Sequence, residues 1–131
     1  MKAVYYDKFS EVIEETWQEQ GFYLPPMIRQ YVAAMLADHV ERTDFFSQPF
    51  AIRYMEINTV HSAKDLGDNC LVMAGFFPEY RSMGEAYYIS VGRSAYSTAA
   101  SVTQSVVFGT LADNFDTVSQ GLAHLRAPTF L

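Results

Sequence analysis

The sequence has one cysteine, Cys70, in 131 residues. A single thiol excludes a disulfide within the chain. It also excludes a thiolate-rich zinc or iron–sulfur centre built by one copy. Positive charge is scarce as well. Lys and Arg total 9 against 15 Asp and Glu, for a net charge of -6, and the arginines are scattered from Arg29 to Arg126. Phosphate backbones and anionic lipid surfaces are held by clustered Lys and Arg, so neither nucleic acid nor a membrane surface is an expected partner. The chain lacks the run of about 18 apolar residues that a membrane helix requires. Met1 to Glu11 mixes charge with short apolar groups and has no small-residue cleavage site, which argues against a secretory leader and for a cytoplasmic protein. Also missing are HExxH, GxSxG, a glycine run ending in Lys-Ser/Thr, and a dinucleotide fingerprint.

What is present is apolar bulk: 50% hydrophobic and 15% aromatic residues, more than a disordered chain carries. One domain spanning residues 1–131 is expected, with a core that needs no staple or metal. The apolar residues recur by threes and fours, the period of a helix. Phe9, Val12, Ile13, Thr16 and Trp17 form a stripe over Asp7 to Gln20, with Glu11, Glu14, Glu15 and Glu19 opposite and Gly21 as the stop. Acids near a helix C-terminus oppose its dipole, so this helix depends on docking its stripe. Pro25 and Pro26 open a second helix, whose stripe of Ile28, Tyr31, Val32, Met35, Leu36, His39 and Val40 runs toward Thr43. Pro49 begins a third, less regular one that carries Phe50 to Ile57. Ser62 and Asp65 have the spacing of a capping box. Leu66, Cys70, Met73 and Phe77 follow on one face, up to Pro78.

Glu79 to Glu85 reads as a loop. From Ala86 to Ala112 the only charged residue is Arg93. Tyr88, Val91, Ala95, Thr98, Ala99 and Val102 make a helical face of mostly small groups, and a break is placed near Val102 to Gln104. A β-like segment over Ser101 to Ser105 is the alternative there. A last helix is expected from Ser105 to Leu125, weakened slightly by Gly121. The sum is an all-α fold, an irregular bundle of five or six helices.

Few residues suggest chemistry. His61, Asp65 and Asp68 could share a helical face as metal ligands, but acids in a first helical turn are explained by the dipole, and no metal or cofactor is expected. Cys70, among Leu66, Leu71 and Met73, reads as a small buried hydrophobe. His39 reads as a half-buried core residue with a polar partner. Asp113 and Asp116 read as surface acids, and no residue is assigned a catalytic role. The tyrosine-rich segment carries more. Tyr88, Gly92 and Tyr96 share one face, with Arg93 beside it. Gly92 within a helix costs about 1 kcal/mol against Ala, which close approach by a helix or a ligand would explain. Asp68 is suited to partner a tyrosine hydroxyl or Arg93 across the bundle. The favoured reading is a structural network around a tight crossing. The sharper one is a ligand pocket lined by Asp68, Tyr88, Arg93 and Tyr96.

These segments carry a resemblance. LGDNCLVMAGFFP at Leu66 to Pro78 and AYYISVGRSAY at Ala86 to Tyr96, with LADNFDTVSQGL at Leu111 to Leu122, resemble a family of small bacterial proteins with no established activity. The resemblance spans roughly Tyr31 to Leu125. It implies a helical protein and brings no substrate, cofactor or catalytic residue.

The leading expectation is a non-catalytic interaction or structural protein that forms a homo-oligomer, because the charge-poor stretch calls for a cover. A small-molecule binder or enzyme using the tyrosine cluster is the alternative. A third possibility is a basic protein partner drawn to Glu11, Glu14, Glu15 and Glu19.

Overall fold

The computed structural model describes residues 2–39, 60–76 and 85–125. Among these residues the chain forms six helices and no strand: α1 Lys2–Gln20, α2 Pro26–His39, α3 Val60–Phe76, α4 Glu85–Thr103, α5 Val106–Asp113 and α6 Phe115–His124. The all-α architecture therefore follows the stripes. The expected helix after Pro49, the loop before Glu85, the end of the second helix near Thr43 and the tail after Leu125 lie outside the described residues.

α1 and α2 form a hairpin. Gly21 sits at φ +78°, the left-handed conformation that a side chain disfavours. Its N–H donates to Gln18 O at 3.4 Å and the N–H of Phe22 donates to Trp17 O at 2.9 Å. This pair of bonds is a Schellman closure, and it turns the chain into Pro26, the first residue of α2. Along α1, Ile13 and Trp17 are buried while Phe9, Val12 and Thr16 are half-buried; the four glutamates opposite are exposed. α1 begins at Lys2, five residues earlier than the Asp7 expected from the stripe, and Tyr6 carries the docking face beyond Phe9.

α3 is the axis of the bundle. Every residue from Leu66 to Phe76 is buried, the condition of a helix surrounded on all sides. α4 packs along it most extensively and α6 next, while α2 approaches it less closely. Cys70 is fully buried at this crossing, as a small hydrophobe. The capping-box reading of Ser62 and Asp65 is corrected: α3 starts at Val60, so both residues lie inside the helix.

The break after α4 is where it was expected. Gln104 stands at φ +58°, in the C′ position usually taken by glycine. The single last helix is not observed. It divides at Asn114 (φ -115°, ψ 20°). The Asn114 side-chain amide donates to Thr110 O at 2.9 Å, beside its own backbone N–H at 3.0 Å. An asparagine that bonds the preceding turn with its side chain bends the helix there.

Gly121 does more than weaken a helix. The Trp17 indole N–H donates to Gly121 O at 3.0 Å in a buried bond. A Cβ on Gly121 would lie 2.9 Å from the indole ring. The absent side chain is what lets α1 dock on α6. Gly121→Ala is therefore expected to lower stability by about 1–3 kcal/mol in urea denaturation, although Ala is the better helix former by about 1 kcal/mol. A gain in stability would contradict this contact.

Candidate functional site

The centre of the molecule holds a carboxylate. Asp68 is only 3% exposed, and an ionised group in such a place needs partners for its oxygens. It has three. The Tyr31 hydroxyl donates to Oδ1 at 2.6 Å and the Tyr96 hydroxyl donates to the same oxygen at 2.7 Å. Lys64 Nζ donates to Oδ2 at 2.9 Å. Tyr31 comes from α2, Tyr96 from α4, and Lys64 from one turn earlier on α3. One side chain thus ties three helices together.

Local sequence explains how the tyrosines arrive. Asp68 follows Gly67, and a Cβ on Gly67 would meet the Tyr96 ring at 2.6 Å. The bare backbone lets the ring lie against α3, so that its hydroxyl falls on the next residue. Tyr31 meets Tyr96 edge-on, with ring centroids 6.5 Å apart. Phe108 of α5 covers both, edge-on to Tyr31 at 6.0 Å and stacked on Tyr96 at 6.3 Å. Phe115 of α6 also meets Tyr96, tilted, with centroids 6.0 Å apart. The Lys64 ammonium also lies 5.4 Å from the Tyr31 ring centre, within cation–π range.

A second polar pair continues the same seam. Asn69 is fully buried next to Asp68. His39, two turns beyond Tyr31 on α2, donates from Nδ1 to Met35 O at 2.9 Å and pairs through Nε2 with the Asn69 side chain at 2.6 Å. α2 therefore reaches α3 through long polar side chains at two adjacent residues.

The electrostatics favour a lock over a reactive centre. Burial holds the Tyr31 hydroxyl well above the ordinary phenol value of 10.0, and the neighbouring Asp68 charge adds to the effect. Tyr96 is raised by the same two causes in the same order. A tyrosine that serves as a base needs the opposite shift. Among the described residues, no buried side-chain nitrogen or oxygen lacks a partner. No group of three metal-ligating side chains occurs among them either.

The structure unites two of the four residues proposed as a pocket. Asp68 and Tyr96 are bonded. Tyr88 and Gly92 share the buried face of α4 with Tyr96, and Tyr88 meets Tyr87 edge-on at 5.0 Å. A Cβ on Gly92 would strike Phe115 at 2.4 Å, so the close approach read from this glycine is that of α6. Arg93 is corrected: it is exposed on the outer side of α4. There it borders an open cleft of about 430 Å³ with Ser94, Ser97, Thr98, Ser101 and Val102. One residue along a helix turns a side chain by about 100°, which takes Arg93 off the tyrosine face. Asp68 is corrected too, because it lies more than two turns inside α3 and not in its first turn.

Three members of the cluster were missed. Tyr31 was counted only as one apolar body in a stripe, yet a buried tyrosine needs a partner for its hydroxyl. Lys64 stands four residues before Asp68, a spacing at which opposite charges meet. Gly67 had no local signal.

The raised tyrosines set a pH dependence. Below pH 10 both hydroxyls are protonated whether the chain is folded or unfolded, so their contribution is intact. Above it the unfolded chain releases protons that the native one keeps, and stability falls by up to about 1.4 kcal/mol per pH unit for each tyrosine. In an alkaline titration followed at 295 nm, Tyr31 and Tyr96 are expected to ionise only together with loss of the far-ultraviolet helix signal. Ionisation of all nine tyrosines near pH 10 with the helices intact would contradict the cluster.

No protein-family model matches this chain, and no curated protein or solved structure matches it either, so the cluster is read from its own chemistry.

Proposed function

We propose that the chain is a non-catalytic helical interaction or structural protein that forms a homo-oligomer through the outer face of α4. The observation that carries this reading is a helical face on which the described residues from Ala86 to Val106 present no acid, on a chain of net charge -6. Ser90, Ser97 and Ser101 are exposed and Ser94 is half-buried. Their spacing of four, three and four aligns them along one side of the helix. Val102 and Val106 continue the surface, 67% and 69% exposed. Arg93 is the only charge from Ala86 to Ala112. Two copies repel each other least where neither presents a carboxylate. Depletion of charge is the compositional mark of an interface centre, and small side chains allow close helix approach.

The alternative, a binder or enzyme working at the tyrosine cluster, has less support. The Asp68 oxygens already accept from Tyr31, Tyr96 and Lys64, and burial holds both phenols protonated. Membership of the resembling bacterial family and a cytoplasmic setting belong to the same proposal. No described helix is long and apolar enough to cross a membrane.

Light scattering on the eluting protein at low micromolar concentration tests the reading. The expected mass is a multiple of 14.8 kDa, reduced to that of one chain by Ser97→Glu with the helix content unchanged. A native chain that elutes as a monomer at that concentration would contradict it.

A further inference from the structure

We infer that α5 is a hinged plug over the tyrosine–aspartate cluster, closed by Phe108 and loaded by the backbone of Gln104. α5 is short, Val106–Asp113, and both of its ends are joints. At the first joint Gln104 takes φ +58°. Its N–H donates to Ala100 O at 2.6 Å, so the end of α4 is fixed and the unfavourable conformation falls on this one residue. An extended side chain there crowds the backbone, whereas Asn tolerates the conformation and a β-branched residue tolerates it least. The neighbouring Ser105 occupies the N-cap of α5 yet makes no side-chain capping bond. At the second joint Asn114 bends the chain without breaking its bonds: Val118 N–H still donates to Asn114 O at 2.9 Å.

The burial of α5 is lopsided in the way a hinge requires. Leu111 and Ala112, beside Asn114, are buried, while Val106 is 69% exposed and the residues from Val107 to Thr110 are half-buried. The end next to the strained residue is therefore the more exposed one. α5 packs along α4 and touches α2, and Phe108 is seated on the rings of Tyr31 and Tyr96. When α5 pivots on Asn114, Gln104 relaxes and Phe108 leaves those rings. The rings of Tyr31 and Tyr96 are then uncovered, while the Asp68 oxygens keep their bonds to Tyr31, Tyr96 and Lys64.

Hydrogen exchange of the full chain, resolved to α3, α4 and α5, tests the plug. In the native protein the amides of Phe108 to Leu111 are expected to exchange at least about tenfold faster than those of α3, through local opening. Gln104→Asn is expected to slow α5 exchange about threefold and Gln104→Val to speed it about fivefold, with α3 unchanged. Equal protection of α5 and α3 would overturn the inference. So would Gln104 variants that shift both helices together, or that leave α5 unmoved.

Discussion

The structure depends on Asp68, the one buried charge among the described residues. Taking Asp68 out of water carries a desolvation cost of several kcal/mol, and only well-placed donors offset it. Tyr31, Tyr96 and Lys64 are those donors. Each bond has a direction and a length of its own, unlike the apolar contacts around it. A leucine in the same place would slide along its neighbours with little change in energy. The carboxylate admits one rotation of α4 and one height of α2. The polar pair of Asn69 and His39 repeats the constraint on the next residue of α3.

The rest of the core is arranged so that this bond set can close. Without a side chain at Gly67 the Tyr96 ring lies on the α3 backbone, and without one at Gly92 the ring of Phe115 fits between α4 and α6. Gly121 does the same for Trp17. These glycines sit inside helices, where each is locally unfavourable by about 1 kcal/mol relative to Ala. The aromatic rings that fill the cleared spaces bring much larger buried areas. Local helix preference is thus given up at the crossings, and packing decides.

Much of this was legible in the chain, and the reasons for the remainder are physical. The helices of Trp17, of Val32 and of Leu66 to Phe76 follow directly from apolar spacing. Gly21 follows from turn chemistry, and the break at Gln104 from the β-branched run of Val102 to Val107. Asp68 reads in the sequence as a partner for a tyrosine hydroxyl or for Arg93, and the fold supplies the hydroxyl of Tyr96. Tyr31 was hidden by its own apolar body, since a stripe does not reveal which of its members also carries a bond. Arg93 is next to the tyrosine face in sequence but not in space, because each residue along a helix turns the side chain by about 100°. The division at Asn114 was missed because the apolar stripe from Phe108 to Leu122 passes through it unbroken, while the bend comes from a side-chain amide.

A double-mutant cycle on Tyr96→Phe, measured by urea denaturation with and without Asp68→Leu, tests the central role of Asp68 most directly. With the carboxylate present, losing the Tyr96 hydroxyl is predicted to cost about 1.5–3 kcal/mol, the range for a bond to a charged group. With the carboxylate replaced, the hydroxyl is left buried without its acceptor, and the same loss is predicted to be neutral or stabilising. An equal cost in both backgrounds would show that Asp68 does not hold these helices in place.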